Sequence, residues 1–180
     1  MLESHNIFNN KKILIYGLGK SGLSASKFLK RNNKVIEYDD KKNKNYGKIR
    51  KIEFDYIILS PGIDINKCKL SNFLKKNYSK IHTDLDIFYS NYKNNYKITI
   101  TGTNGKSTTA KILYEVIKAQ KIDVRLVGNI GNPILSEKNI TNKTIFIIEA
   151  SSYQLAYSKL FKSNISMILN ISPDHLDRHK

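Results

Sequence analysis

The sequence predicts an α/β protein built from two parallel-sheet units in tandem, and three observations carry that reading. Apolar runs recur along the 180 residues, helical patterns lie between them, and two of the runs end in glycine turns that open helices. Strands separated by helices in this way pair in parallel, because each crossover returns the chain to the same end of the sheet.

The apolar runs are "KILIYG" (12–17), "KVIEYD" (34–39), "FDYIILSPG" (54–62), "YKITITG" (96–102), "TIFIIEA" (144–150) and "ISMILNIS" (165–172). They are near-continuous rather than alternating, as expected of strands buried on both faces. After the second glycine turn, Ala110, Leu113, Val116, Ile117 and Gln120 fall at helical spacing and predict one buried helix face. The segment "FYSNYKNNY" (88–96) is polar, rich in Asn and Tyr, and has no apolar period. A domain boundary is placed there, near residue 93, giving units 1–93 and 94–180. The second unit is expected to hold about three strands, fewer than an ordinary sheet, and so reads as cut short.

The net charge is +16, which invites a nucleic-acid reading. Only four of the 31 basic residues are arginine (Arg31, Arg50, Arg125, Arg178), and the lysines are dispersed. Arginine is the residue suited to bidentate phosphate and base contacts, so no nucleic-acid partner is expected. One cysteine, Cys68, excludes an internal disulfide and fits a reducing compartment. The N-terminus lacks the apolar core of a signal peptide, and no run of about 18 apolar residues exists, so a cytoplasmic chain without a membrane span is expected.

The first glycine turn is "GLGKSG", in which Gly17, Gly19 and Gly22 match GxGxxG between a strand and a helix. Asp39 ends the next strand, where an acid can meet a ribose hydroxyl. Glycines let the backbone approach a diphosphate, and the helix N-terminus offers it unpaired N–H groups. The pattern specifies the diphosphate and not the nucleotide: NAD, another diphosphate such as a UDP-sugar, or a plain tight turn all satisfy it.

The second turn is "TGTNGKST" (101–108). The usual phosphate loop, GxxxxGK[ST], needs glycine at position 100, and this chain has Ile100. Gly102 and Gly105 still bracket a short loop, Lys106 can reach β- and γ-phosphates, and Ser107 can ligate Mg²⁺. An acid at the end of a neighbouring strand should help hold the metal, and Glu149 in "TIFIIEA" stands there. The run "NISPDHLDRH" (170–179) gathers Asp174, His175, Asp177, Arg178 and His179 past a strand, where α/β sites form. His175 reads equally as a metal or phosphate ligand or as part of a polar loop. His5 and His82 lack a partner cluster and read as surface residues.

Taken together, "GLGKSGLS", "LSPGI", "TGTNGKST", "GNIG", "EASSYQL" and "ILNISPDHLDRH", in this order, resemble the Mur ligase family over essentially the whole chain. "TGTNGKST" is shared in related forms by folylpolyglutamate synthases. The GxGxxG turn with "SPGI" and "GNIG" points to the branch that adds D-glutamate to UDP-N-acetylmuramoyl-L-alanine in peptidoglycan precursor synthesis. The resemblance implies an N-terminal Rossmann-like, UDP-substrate-binding domain followed by a truncated P-loop ATPase-type α/β domain. It implies ATP and Mg²⁺ as cofactors, small-molecule substrates, and a monomer when full length.

By the same resemblance, Gly102, Thr103, Asn104, Gly105, Lys106, Ser107 and Thr108 would form the ATP loop. Lys106, Glu149 and His175 would be catalytic, with Ser107, Glu149 and His175 holding metal. Leu18, Ser21 and Gly22 would line the UDP pocket, with Asp39 and Asp40 near the uracil. Gly62, Asn129 and His175 would contact the diphosphate and its neighbours, and Ser151 and Gln154 would face the muramoyl-peptide end. Ala150, Tyr153 and Lys41 depart from the family pattern, the last where an arginine is expected. The family's amino-acid-binding domain and a carbamylated lysine would lie beyond residue 180, so an N-terminal fragment inactive alone is expected. The rival readings are an NAD-dependent oxidoreductase domain, which leaves the second loop unexplained, and a non-catalytic nucleotide-sugar-binding remnant.

Overall fold

Ile13, Leu14, Ile15 and Tyr16 of the first apolar run are fully buried and form β1 (Lys12–Tyr16). The computed structural model describes residues 6–42 and 46–173. After β1 come α1 (Lys20–Leu29), β2 (Lys34–Tyr38), α2 (Tyr46–Ile49), β3 (Tyr56–Leu59), α3 (Ser71–Lys76), β4 (Ile81–His82) and α4 (Asp84–Asn91). Their strands form a parallel sheet in the order β2-β1-β3-β4.

The chain continues through β5 (Tyr96–Thr101), α5 (Lys106–Ala119), β6 (Val124–Gly128), β7 (Ile145–Glu149), α6 (Ser152–Tyr157) and β8 (Ile165–Ile168). These strands form a second parallel sheet, ordered β6-β7-β5-β8. Every one of the six apolar runs holds a strand, and the fold is α/β as expected. The sheet orders put the ends of β1 and β5 beside places where the connection changes direction, the positions at which open α/β sheets form their clefts.

Two strands were not expected. β4 is only two residues long. β6, "VRLVG", is interrupted by Arg125, whose guanidinium pairs with Asp123 at 2.7 Å and Glu137 at 3.3 Å. The second sheet therefore has four described strands rather than about three.

Two burial expectations fail in the second sheet and its helix. In α5 the residues packed on the sheet are Ala110, Leu113, Tyr114 and Ile117, whereas Val116 is 57% exposed and Gln120 is exposed. Val116 is turned about 100° from Ile117, which carries it off the narrow stripe that meets β5 and β7. β8 is not buried on both faces: Ile165 and Ile168 are 40% and 66% exposed. It is the edge strand of the second sheet among the described residues, so its apolar run lacks the cover that β5 and β7 have.

The two sheets share a core through α4. Leu85, Ile87 and Phe88 pack with Ile13, Ile15 and Ile58 of the first sheet and with Val127, Phe146 and Ile148 of the second. Phe88 and Phe146 meet edge to face with ring centroids 4.7 Å apart. Thr83 caps α4 in a capping box with Asp86.

The Asp86 carboxylate, fully buried, accepts from the backbone N–H of Lys159, Leu160 and Phe161 and lies 2.8 Å from His82 Nδ1. Burial by itself would raise its pKa, but these hydrogen bonds hold it below the ordinary aspartate value. His82 is thus a buried partner of Asp86 and not a surface residue, a correction the sequence could not supply because the partner lies one helical turn away across a cap. His5 lies outside the described residues.

Candidate functional site

The described strands are parallel within each sheet, so the residues that follow them collect at one end of that sheet. β1 runs into Gly17, β3 into Ser60 and Pro61, β5 into Gly102, β6 into Asn129, and β7 into Ala150 and Ser151. Two cavities open there. The smaller, about 710 Å³, is lined by the first glycine turn with Asp39, Asp40, Lys41 and Lys42. The larger, about 930 Å³, is lined by Gly102, Thr103, Lys106, Ser151, Tyr153 and Asn170 among others. Pro61, Gly62 and Asn129 line both, so the two spaces adjoin.

At the first turn Gly17 has φ +93° and donates its N–H to Tyr38 O. The Asp39 carboxylate accepts from Leu18 N at 2.8 Å and Lys41 N at 2.9 Å, which holds it below the ordinary aspartate pKa. Asp39 therefore fixes the glycine loop itself. Asp40 accepts from the Tyr16 hydroxyl at 2.8 Å and from Lys69 N at 3.1 Å. Leu18, Ser21, Asp39, Asp40 and Gly62 all line the smaller cavity. Gly22 does not: it packs under the loop, and a Cβ there would sit 1.8 Å from Gly17 O. The third glycine is required by helix–strand packing rather than by a ligand.

The second loop has its own geometry. Gly102 and Gly105 adopt φ +141° and +81°, conformations open to glycine at little cost. Gly105 then caps α5. The Lys106 ammonium folds over the loop and donates to Gly102 O at 2.6 Å and Thr103 O at 2.8 Å. Ser107 Oγ donates to Glu149 Oε2 at 2.8 Å, joining the loop's helix to the end of β7. Asn104, Gly105, Ser107 and Thr108 are exposed on the turn, while Glu149 is buried beneath them. His175 and its charged neighbours at 174–179 lie outside the described residues.

Asn129 of "GNIG" is set by the end of β7: its N–H donates to Glu149 O at 2.9 Å. Gly128 leaves no room for a side chain, since a Cβ would lie 2.2 Å from the same oxygen. Ser151 caps α6 and lines the larger cavity. Gln154 does not reach that cavity. It is buried, accepts from Ser151 N, and donates from Nε2 to Asp84 Oδ1 at 3.0 Å. Burial raises the Asp84 carboxyl above its ordinary value despite that bond and one from Ser21.

One site residue was missed. Asn170 follows β8, and its Oδ1 accepts from both Thr103 N (3.1 Å) and Asn104 N (2.9 Å). The signal was its place in "ILNISPDH", directly after a strand, but a neutral amide among charged residues drew no weight.

Residues 100–180 match the family model of the Mur ligase middle domain. The chain is 37% identical to the UDP-N-acetylmuramoylalanine–D-glutamate ligase of Rickettsia felis, with 97% of this chain and 41% of that protein covered. It is 38% identical to the enzyme of the same name from Rickettsia conorii (97% and 37% covered) and 37% identical to that of Caldicellulosiruptor bescii (94% and 41%). The chain thus spans 37–41% of the length of these relatives. Among solved structures, the UDP-N-acetylmuramate:L-alanyl-gamma-D-glutamyl-meso-diaminopimelate ligase from Neisseria meningitides shares the fold, with a TM-score of 0.55 at 14% identity over 95% of this chain and 64% of that one. The middle-domain match spans the loop that carries Lys106 and Ser107, and the relatives extend the likeness back through the first glycine turn: residues 100–180 belong to the Mur ligase middle-domain family, and the chain is similar to Mur ligases over nearly its whole length.

Proposed function

We propose that the protein is an ATP-dependent amide ligase that adds D-glutamate to UDP-N-acetylmuramoyl-L-alanine, acting in the cytoplasm in peptidoglycan precursor synthesis. Residues 1–93 bind the UDP substrate and 94–180 contribute the ATP site. The observation that carries this reading is the shared wall of the two cavities: Pro61, Gly62 and Asn129 border both the first glycine turn and the phosphate loop. A substrate whose diphosphate lies at the first turn can therefore extend its far end toward a nucleotide on the second. An NAD-dependent oxidoreductase has no use for that second loop.

A carboxylate is a poor electrophile. The γ-phosphoryl group of ATP passes to the substrate carboxylate, giving an acyl phosphate and ADP. The amine then attacks the acyl carbon and phosphate leaves. Lys106, already placed over the loop, offsets charge on the transferring group. The loop and the shared cavity wall orient the reactants and limit water. The paired Ser107 hydroxyl and Glu149 carboxylate fit a hard divalent cation with oxygen ligands, and Mg²⁺ held there would supply further neutralisation of the phosphates. Asp39, spent on the loop, supports a role in shaping the diphosphate site rather than in selecting a nicotinamide ribose.

The test is calorimetric titration of the chain with UDP-N-acetylmuramoyl-L-alanine and with NAD. Binding of the UDP-sugar and not of NAD is expected. Binding of NAD without the UDP-sugar would overturn the proposal.

A further inference from the structure

We infer that Asn170 is a positioning residue for the phosphate loop, setting the loop's backbone for a nucleotide phosphate. The inference rests on the reading of that loop as an ATP site. Its carboxamide is used at both ends: Oδ1 accepts from Thr103 N and Asn104 N, and Nδ2 donates to Asn104 O at 3.1 Å. The backbone repeats the link, with Thr103 N also meeting Asn170 O at 3.2 Å. Two residues further on, Ser172 N donates to Thr103 Oγ1 at 3.1 Å, and Thr103 Oγ1 lies 3.2 Å from Ser172 O.

Within the loop, Lys106 Nζ also holds Gly102 O and Thr103 O. Gly102 and Gly105 both sit at positive φ and bring no side chain to anchor it. Between them, Thr103 and Asn104 are held through residues 170–172. Asn170 also lines the larger cavity beside Lys106, so it fixes the loop from the side where a phosphate would enter. A neutral amide suits that place, because it can accept two N–H groups without setting a negative charge against the ligand.

Two variants and two ligands test this. Asn170→Ala removes all three side-chain bonds. It is expected to weaken Mg-ATP binding at least tenfold by calorimetry, with UDP-N-acetylmuramoyl-L-alanine binding at the first turn unchanged. Asn170→Asp keeps an acceptor for both N–H groups but adds charge. It is expected to keep the wild-type thermal midpoint, to bind Mg-ATP weakly at pH 7.5, and to recover affinity relative to wild type as the carboxylate is protonated at lower pH. Wild-type Mg-ATP affinity in Asn170→Ala would overturn the inference alone. So would equal loss of both ligands with a lowered thermal midpoint in both variants, which marks a general structural role. Failure of the wild-type chain to bind Mg-ATP would remove the underlying ATP-site reading as well.

Discussion

Ser107 Oγ and Glu149 Oε2 are 2.8 Å apart, a hydrogen bond that ties the first turn of α5 to the last residue of β7. It joins the glycine loop's helix to a buried strand end, and it leaves a hydroxyl and a carboxylate together next to Lys106 in the chain.

Glu149→Gln should preserve that hydrogen bond and lose the charge. Mg²⁺ is expected to strengthen ATP binding by the wild-type chain and to have little effect on the variant. On the proposed ATP site, Lys106→Ala should weaken ATP binding with or without the metal, because a cation that would face the phosphates is lost; about tenfold or more corresponds to the loss of one charge-assisted contact of roughly 1.5–3 kcal/mol. Titrations with and without Mg²⁺ check both. Equal Mg²⁺ dependence in Glu149→Gln and wild type would sink the metal role.

Asp84 and Asp86 lie two residues apart and should respond oppositely to neutralisation. The Asp86 pKa is lowered on folding, so its contribution is fully present above the ordinary aspartate range and is lost as the pH falls through the folded value. Asp86→Ala leaves backbone N–H groups of 159–161 without their acceptor, at a cost of about 3 kcal/mol or more. The Asp84 pKa is raised, so its charge opposes folding once the pH exceeds the ordinary range. Asp84→Asn can still accept from Gln154 and should be as stable as wild type at pH 7, or more stable by on the order of 1 kcal/mol. Urea midpoints from pH 3 to 8 decide the signs.

Gly22→Ala and Gly19→Ala separate packing from ligand contact at the first turn. A Cβ at Gly22 meets Gly17 O at 1.8 Å, whereas nothing lies within 4 Å of one at Gly19. The first substitution should destabilise by about 1–3 kcal/mol or more, and the second should leave the thermal midpoint nearly unchanged. Equal midpoints for the two variants would contradict the packing role.

The charge of +16 should not make a specific nucleic-acid site. Duplex binding should be weak, indifferent to sequence and lost by moderate salt. Sequence-selective retention at physiological salt in a filter-binding assay would show a site that the scarcity of arginine argues against.

The sequence by itself determined the class of fold and both loops. Near-continuous apolar runs have one stable use in a chain that alternates with helices, and glycines at fixed offsets from a strand end permit few backbones. The meeting of Ser107 with Glu149 was legible, because a loop that opens a helix and the end of a neighbouring parallel strand lie on the same side of the sheet. Tertiary structure decided whatever depends on partners distant in sequence. Gly22 and Gln154 were expected at ligands and instead pack or bond inside the protein. His82 became buried because it pairs with Asp86 and packs edge-on against Phe8 and Tyr56. Lys97, one lysine in a strand of a lysine-rich chain, is buried with its ammonium on Lys93 O and Asn95 O and its pKa pushed down to about 8 by burial. Asn170 gained its place only when β8 paired with β5 and brought its carboxamide to the loop. Local patterns fix what a segment can be, because backbone geometry and burial act over a few residues. Which side chains meet is set by sheet order, which brings segments more than sixty residues apart into hydrogen-bond range.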